Sequence, residues 1–399
     1  MVTGSWWCPV LLCMGLVDEL IAGLPVVALP LLRDRLGLSY AQVGLLFTAG
    51  ALSGMLLEPL INLFSDRHSK KPWILWGLFI LTITEIIIGN TTSYGLLLLA
   101  FIISSPAGGA ATGLAQAALI DSTPGESART MTRWTLLSSV GDFLAPLVVA
   151  VFVALHAGWT ELCWLAAACW LGAAFLLAPL RFPARYTGPE LAENAQETSI
   201  WISLREALRD PLLLRWAALS IIPTMLDEVF LGFVALYLRD VLHVSETGIA
   251  LLLTCQMLAS FGGLFLLDRL LKSHKLHPVR LLTWLALGTL VGVLGLLIVH
   301  TLWLVTGSLL IISFGCAGWY PLAKAEAYAR KPASSGIVRT VTSLGRPLEM
   351  VLPGAIGLIS ASFGVLTGLG VLGLAPLLVL LLLPYRQKYM DPKKGSSNL

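Results

Sequence analysis

The sequence predicts an all-α membrane protein: twelve transmembrane helices in two related six-helix bundles. Three observations carry that prediction. The composition is too apolar for water, the basic residues gather on one side of the apolar runs, and a repeat divides the chain in half. Of 399 residues, 57% are hydrophobic and 12% charged, with mean hydropathy +0.83, whereas a soluble domain carries about 25% charged residues. Apolar runs of about 20 residues fit helical crossings of a hydrocarbon core about 30 Å thick. Nothing alternates as barrel strands would. The composition excludes a secreted disulfide scaffold, a disordered regulator and an ordinary aqueous enzyme. All six cysteines fall inside apolar runs without metal-ligand spacing, so they read as small buried hydrophobes.

The expected spans lie near residues 6–32, 41–64, 73–90, 94–120, 133–155, 159–180, 213–238, 246–268, 279–299, 303–325, 339–361 and 363–384. The first run has no basic segment before it and is too long for a signal-peptide core, so it is expected to remain as span 1. Spans 2 and 3 are divided by the basic loop NLFSDRHSKKP, and spans 5 and 6 only by the turn His156–Trp159. After span 6 comes the one long hydrophilic stretch, Arg181–Asp210, whose last part, ISLREALRD, is amphipathic and reads as an interfacial helix. The expected organisation is a first bundle over 1–180, a linker over 181–212, a second bundle over 213–385 and a tail over 386–399.

With the N-terminus inside, all of the 26 Lys and Arg except Arg33, Arg35, Arg239 and Arg346 fall at inner loops or inner span ends. This is the positive-inside bias, and it predicts both termini on the cytoplasmic side of a cell membrane.

The halves repeat. VDELIAGL in span 1 corresponds to LDEVFLGF in span 7, aligning the acidic pairs Asp18-Glu19 and Asp227-Glu228. The exit Leu32-Arg33-Asp34 aligns with Leu238-Arg239-Asp240. LLSSVGDFL around Gly141 aligns with TVTSLGRPL around Gly345, and LAQAAL (Leu114–Leu119) with LAKAEA (Leu322–Ala327). Copies in the same membrane orientation imply two parallel halves about an axis along the membrane normal.

Six plus six helices, a central loop and a basic loop between spans 2 and 3 resemble the major facilitator superfamily. In the loop, Asp66, Arg67, Lys70 and Lys71 match the family's signature, while Asn62 and Ser69 stand where it has glycines. The preceding LLEPLINLFSD and the paired charges of span 1 resemble the fosmidomycin-resistance type of efflux protein. GDFLAP (Gly141–Pro146) resembles a degraded antiporter motif, with Ala145 in place of a glycine. The resemblance implies a secondary transporter in which the Asp66 loop latches the cytoplasmic side. Asp66 is expected to meet Arg339 and the start of span 11, and Arg67 to meet Asp121.

An ionised side chain near the bilayer centre costs about 2.5–3.5 kcal/mol on insertion scales, so each is a functional candidate. Asp227 is twelve residues from both Arg215 and Arg239, about 18 Å from each along a helix. Asp18, Glu19, Glu58, Asp142, Asp227, Glu228 and Glu349 are deep acids, and Arg346 reads as the one deep base. Carboxyls crowded in such a place can exchange protons, and an acidic hollow favours cations. Neighbouring acids on a helix point about 100° apart, so one of each pair can face a hollow while the other bonds a neighbouring helix. Trp319 and Tyr320 are candidates to stack on a substrate, with core packing as their alternative role.

The function expected is proton-coupled export of a small amphipathic or cationic molecule by a monomeric carrier in the lipid bilayer. Proton-coupled uptake and movement of a lipid-like substrate are the alternatives. No HExxH, GxSxG, P-loop or His-rich cluster occurs, so neither an enzyme nor a cofactor is expected, and no loop is long enough for the output domain of a sensor.

Overall fold

The computed structural model describes residues 7–38, 40–66, 69–123, 126–180, 200–226, 228–272, 277–331 and 334–384. Every regular element among these residues is helical. Spans 1 to 6 are Trp7–Val27, Tyr40–Ser65, Lys70–Asn90, Tyr94–Asp121, Ser127–Ala154 and Trp159–Leu177. Spans 7 to 10 are Pro211–Asp240, Glu246–Lys272, Pro278–Ile298 and Leu302–Arg330, and span 12 is Val365–Leu382. These are eleven helical stretches long and apolar enough to cross a membrane.

The remaining span, expected near 339–361, is built in two pieces. A helix Ser335–Ser343 ends at Leu344, and a second, Arg346–Phe363, begins after Gly345 with Pro347 in its first turn. Proline is accommodated there because a first-turn N–H has no intrahelical partner to lose. The helical hydrogen-bond ladder is interrupted there, at a Gly-Arg-Pro run. Span 11 therefore begins at Ser335, four residues earlier than the charge of Arg339 suggested, and Arg339 lies one turn inside it.

Other spans are interrupted too. Span 4 contains a π turn at Gly109–Gly113, and span 10 breaks at Ala317–Gly318. The offset that aligns Leu114 with Leu322 also aligns Gly109 with Ala317, so these are one feature of the repeat. Span 7 passes through a 3-10 turn at Ile222–Leu226.

Each half has its own apolar core. Leu11, Leu46, Leu78 and Trp170 belong to the first; Trp216, Phe230, Leu282, Ile312 and Trp319 belong to the second. Leu63, Ile120 and Met131, from spans 2, 4 and 5, are buried in the second half's core. All three lie toward the end of the molecule that carries the 66–70 loop, here named the basic end. There span 2 and the last turns of span 4 pack on Ser335–Ser343, and span 5 packs on spans 8 and 10. The later piece of span 11 instead packs within its own half, on Val365–Leu372 and the 3-10 turn of span 7.

The linker helix Ile200–Arg209 lies across the basic end. It buries Ala207, and Glu206 reaches Lys331 at 3.6 Å. Trp201 and Ile202 are exposed, as in a helix lying in a membrane interface. Trp76, Phe175, Trp284 and Trp303 are exposed around the spans, where bilayer hydrocarbon would cover them.

Candidate functional site

Spans 1 and 5 cross at Gly141. A Cβ there would lie 2.3 Å from the Leu16 carbonyl oxygen and 2.8 Å from the Leu20 nitrogen, so only glycine permits the approach. The crossing sorts the first acidic pair. Glu19 turns toward span 5, its Cβ 3.1 Å from the same point above Gly141. Asp18 turns toward span 4, within hydrogen-bonding reach of the Thr112 side chain and electrostatic reach of Arg339, Glu58 and Asp142. Asp142 is exposed. The two members of the pair thus diverge, Asp18 toward span 4 and the Glu19 Cβ toward span 5.

Glu58 is 4% exposed. Its Oε2 lies 3.5 Å from Nη2 of Arg339, an ion pair joining span 2 to span 11 across the two halves. The π turn of span 4 makes the room. A Cβ on Gly109 would sit 2.4 Å from the Glu58 carboxyl carbon, and one on Gly113 would collide with the Arg339 guanidinium. Widened helical turns of this kind recur at functional sites. A buried pair of this sort is costly to break from one side only, because the survivor is left charged and dry.

The basic-end latch is two turns farther along span 2. Oδ1 of Asp66 accepts from the Gly336 N–H and Oδ2 from the Ile337 N–H, both at 2.9 Å. Two donors of span 11's first turn are thereby satisfied, and the carboxylate meets the positive end of the helix. Lys70 lies 3.3 Å from Asp66 and 2.6 Å from Asp121, and Asp121 also accepts from the Ser335 hydroxyl at 2.8 Å. The expected contact of Asp66 with the start of span 11 is present. Arg339, expected beside Asp66, instead pairs with Glu58, because it sits a full turn above the helix start. Lys70 is the described basic residue beside Asp121; Arg67, expected there, lies outside the described residues. Lys71 donates to the Ala178 carbonyl at the end of span 6.

A second latch escaped the sequence reading. Oδ1 of Asp268, at the end of span 8, accepts from Nε of Arg129 at 3.1 Å and of Arg133 at 3.0 Å, both on span 5. The signal was available: Asp268-Arg269 repeats Asp66-Arg67 at the end of the corresponding span.

Trp319 is fully buried in the second half's core, and Tyr320 is half-buried with the Lys324 ammonium 5.4 Å from its ring centre. Asp227 and Arg67 lie outside the described residues, as do the side chains of Glu228, Arg346 and Glu349. The base found among the described acids is Arg339, which the sequence reading had assigned to the latch.

The Major Facilitator Superfamily profile matches residues 11–325. The chain belongs to the major facilitator superfamily. It is a multi-pass membrane protein and a transporter rather than an enzyme. A search of curated protein sequences finds no match. Among solved structures, the fucose:proton symporter FucP of E. coli is similar, with TM-score 0.79 and 15% identity over 96% of this chain and 98% of that one. The human organic anion transporter MFSD10 gives 0.72 and 18% over 94% and 98%. The proton:xylose symporter XylE gives 0.72 and 15% over 94% of each chain. At such identities the likeness is one of fold.

Proposed function

We propose that the protein is a proton-coupled exporter of a small cationic or amphipathic molecule, rocking between two facing states about the Asp18–Glu58–Arg339 region. The observation that carries this reading is the Glu58–Arg339 ion pair, with Asp18 in electrostatic reach of both and of Asp142. An acid-rich hollow attracts cations. A proton arriving at Glu58 would neutralise the carboxylate and release Arg339, and span 11 with it. The basic end would be cytoplasmic by the positive-inside rule, the membrane a cell membrane and the working unit a monomer. Contacts between the halves at the basic end correspond to a state open on the opposite side.

The test is flux in proteoliposomes holding a trapped pH dye, with tetraphenylphosphonium and ethidium as probe cations. The expected result is probe movement against a proton gradient, abolished in Asp18→Asn and in Glu58→Gln while both variants remain folded in detergent. Probe movement indifferent to collapse of the gradient would refute proton coupling.

A further inference from the structure

Between the Glu58–Arg339 pair and the Asp66–Lys70–Asp121 cluster lies a set of buried polar atoms that have no protein partner among the described residues. Asn62 is one turn from Glu58 and one turn from Asp66 on the same face of span 2. It is 0% exposed, and neither its amide nitrogen nor its amide oxygen is hydrogen-bonded. Its backbone carbonyl lies against Gly336 of span 11. The hydroxyl of Tyr328, on span 10, is likewise buried and unpaired, within electrostatic reach of Arg339, Asp121 and Asp66. The Nε of Arg339 is a fourth such atom. An orphaned buried amide or hydroxyl costs about 1–3 kcal/mol. Groups of this kind can be satisfied by bound water, which needs two to four polar partners per molecule. From Glu58 to Asp66 is eight residues, about 12 Å along span 2.

We propose that Asn62, Tyr328 and the Nε of Arg339 hold an internal chain of water that joins the central ion pair to the Asp66–Lys70–Asp121 cluster through the closed basic end. The chain lets a proton pass between Glu58 and the basic end by exchange of hydrogen bonds, without opening a route for solute. Among the described residues, Asp18 lies beyond Glu58 with Asp142 in its electrostatic reach, and Tyr320 lies near Tyr328. The proton's use of this route rests on the coupling proposed above; the presence of the water does not.

The water is tested by radiolytic labelling of the full chain in nanodiscs with 18O water, which marks side chains touching resident water. Tyr237 is the internal control: it is also buried with an unpaired hydroxyl, and it packs in the second half's apolar core. Tyr328 is expected to label at least tenfold more than Tyr237, and Asn62→Leu to lower Tyr328 labelling fivefold or more. Equal labelling of the two tyrosines in the unsubstituted protein, which requires no variant to fold, overturns the proposal. Undiminished labelling in Asn62→Leu removes Asn62 from it. In the flux assay, Tyr328→Phe is expected to slow proton-driven movement fivefold or more and to leave probe exchange at equal pH unchanged; equal loss in both would overturn the proton route. A carrier driven by another ion would fail the flux test of the previous section and still label at Tyr328, so the two failures are distinguishable.

Discussion

Asp66 and Gly336 form one joint: the carboxylate of the first, at the end of span 2, receives the N–H of the second, in the opening turn of span 11, at 2.9 Å. The joint is tight on its other side as well, since a Cβ at residue 336 would stand 2.1 Å from the Asn62 carbonyl oxygen and 2.8 Å from the Asp66 carboxyl carbon. A helix terminus from one half is thus capped by a side chain of the other, and the capping exists only while the halves touch.

Gly336→Ala should therefore act against its usual sign. Alanine in place of a helical glycine ordinarily gains about 1 kcal/mol. Here the obstacle is a backbone oxygen, which cannot rotate aside as a flexible side chain would. The variant is expected to fold and to favour separation of the basic end. Spin labels at the exposed Ser69 and Ala329, one in each half, should report a longer distance; an unchanged distance would contradict the joint.

Asp66→Asn keeps the shape and removes the charge. One amide oxygen then serves where two carboxylate oxygens served, and Lys70 loses a partner. Loss of a helix cap costs about 1–2 kcal/mol, equivalent to about a fivefold to thirtyfold shift from closed to open. The same label pair measures it. Asp66→Arg should shift the balance further, since a cation meets the positive end of the helix.

The Asp268 latch differs in build and should differ in strength. Its two arginines are unequal: Arg129 is 22% exposed and Arg133 44%. Solvent screens exposed ion pairs, which contribute about 0–1 kcal/mol. Arg133→Gln is expected to leave the distance between spans 5 and 8 nearly unchanged, and Arg129→Gln to lengthen it visibly. Equal effects from the two would mean that burial is not what ranks them.

At the membrane surface, Asp210 begins span 7 by accepting the N–H groups of Leu212 and Leu213, with Arg330 at 3.2 Å. Burial raises its carboxyl, but the two backbone donors and Arg330 outweigh it and hold it below the ordinary value of 3.8. Folding thus favours the ionised form, and the stability Asp210 contributes is complete above pH about 4 and lost as pH falls through the lowered folded value. Asp210→Asn should melt at lower temperature at neutral pH and show a flatter decline in acid. A parallel decline in both proteins would count against this cap.

Much of this was legible in the residues, and the reasons are particular. The spans show because lipid demands uninterrupted apolar length, which composition records directly. Asp66 and the start of span 11 could be joined because an acid before a basic loop and a helix terminus are complementary. Arg339 was misplaced because an arginine in an apolar run was taken to mark where the run begins, whereas Glu58 holds that arginine inside it. The π turn that admits both side chains leaves no periodic trace in Gly109–Gly113, and only the pressing of Glu58 and Arg339 on its glycines shows what the space is for. The break at Gly345 did have a signal, the Gly345-Arg346-Pro347 run, which a reading of span length alone passes over.

The Glu58–Arg339 pair gives the sharpest test of the site. Arg339→Gln takes the ion-pair cation away from a buried carboxylate, and breaking a buried pair from one side costs about 3–5 kcal/mol. Glu58→Gln alone leaves the guanidinium, with its Nε already unpaired, in the same position. The double variant Glu58→Gln with Arg339→Gln removes both charges and keeps two amides that can bond each other. It is expected to melt close to the unsubstituted protein while each single variant melts lower, with a coupling of at least 1 kcal/mol between the two positions. Because the pair joins the two halves, the double variant should also open the basic end more readily than the unsubstituted chain, seen as a longer Ser69–Ala329 distance. Additive losses in the melting series would mean that the two side chains act separately, and the site would then have no switch at its centre.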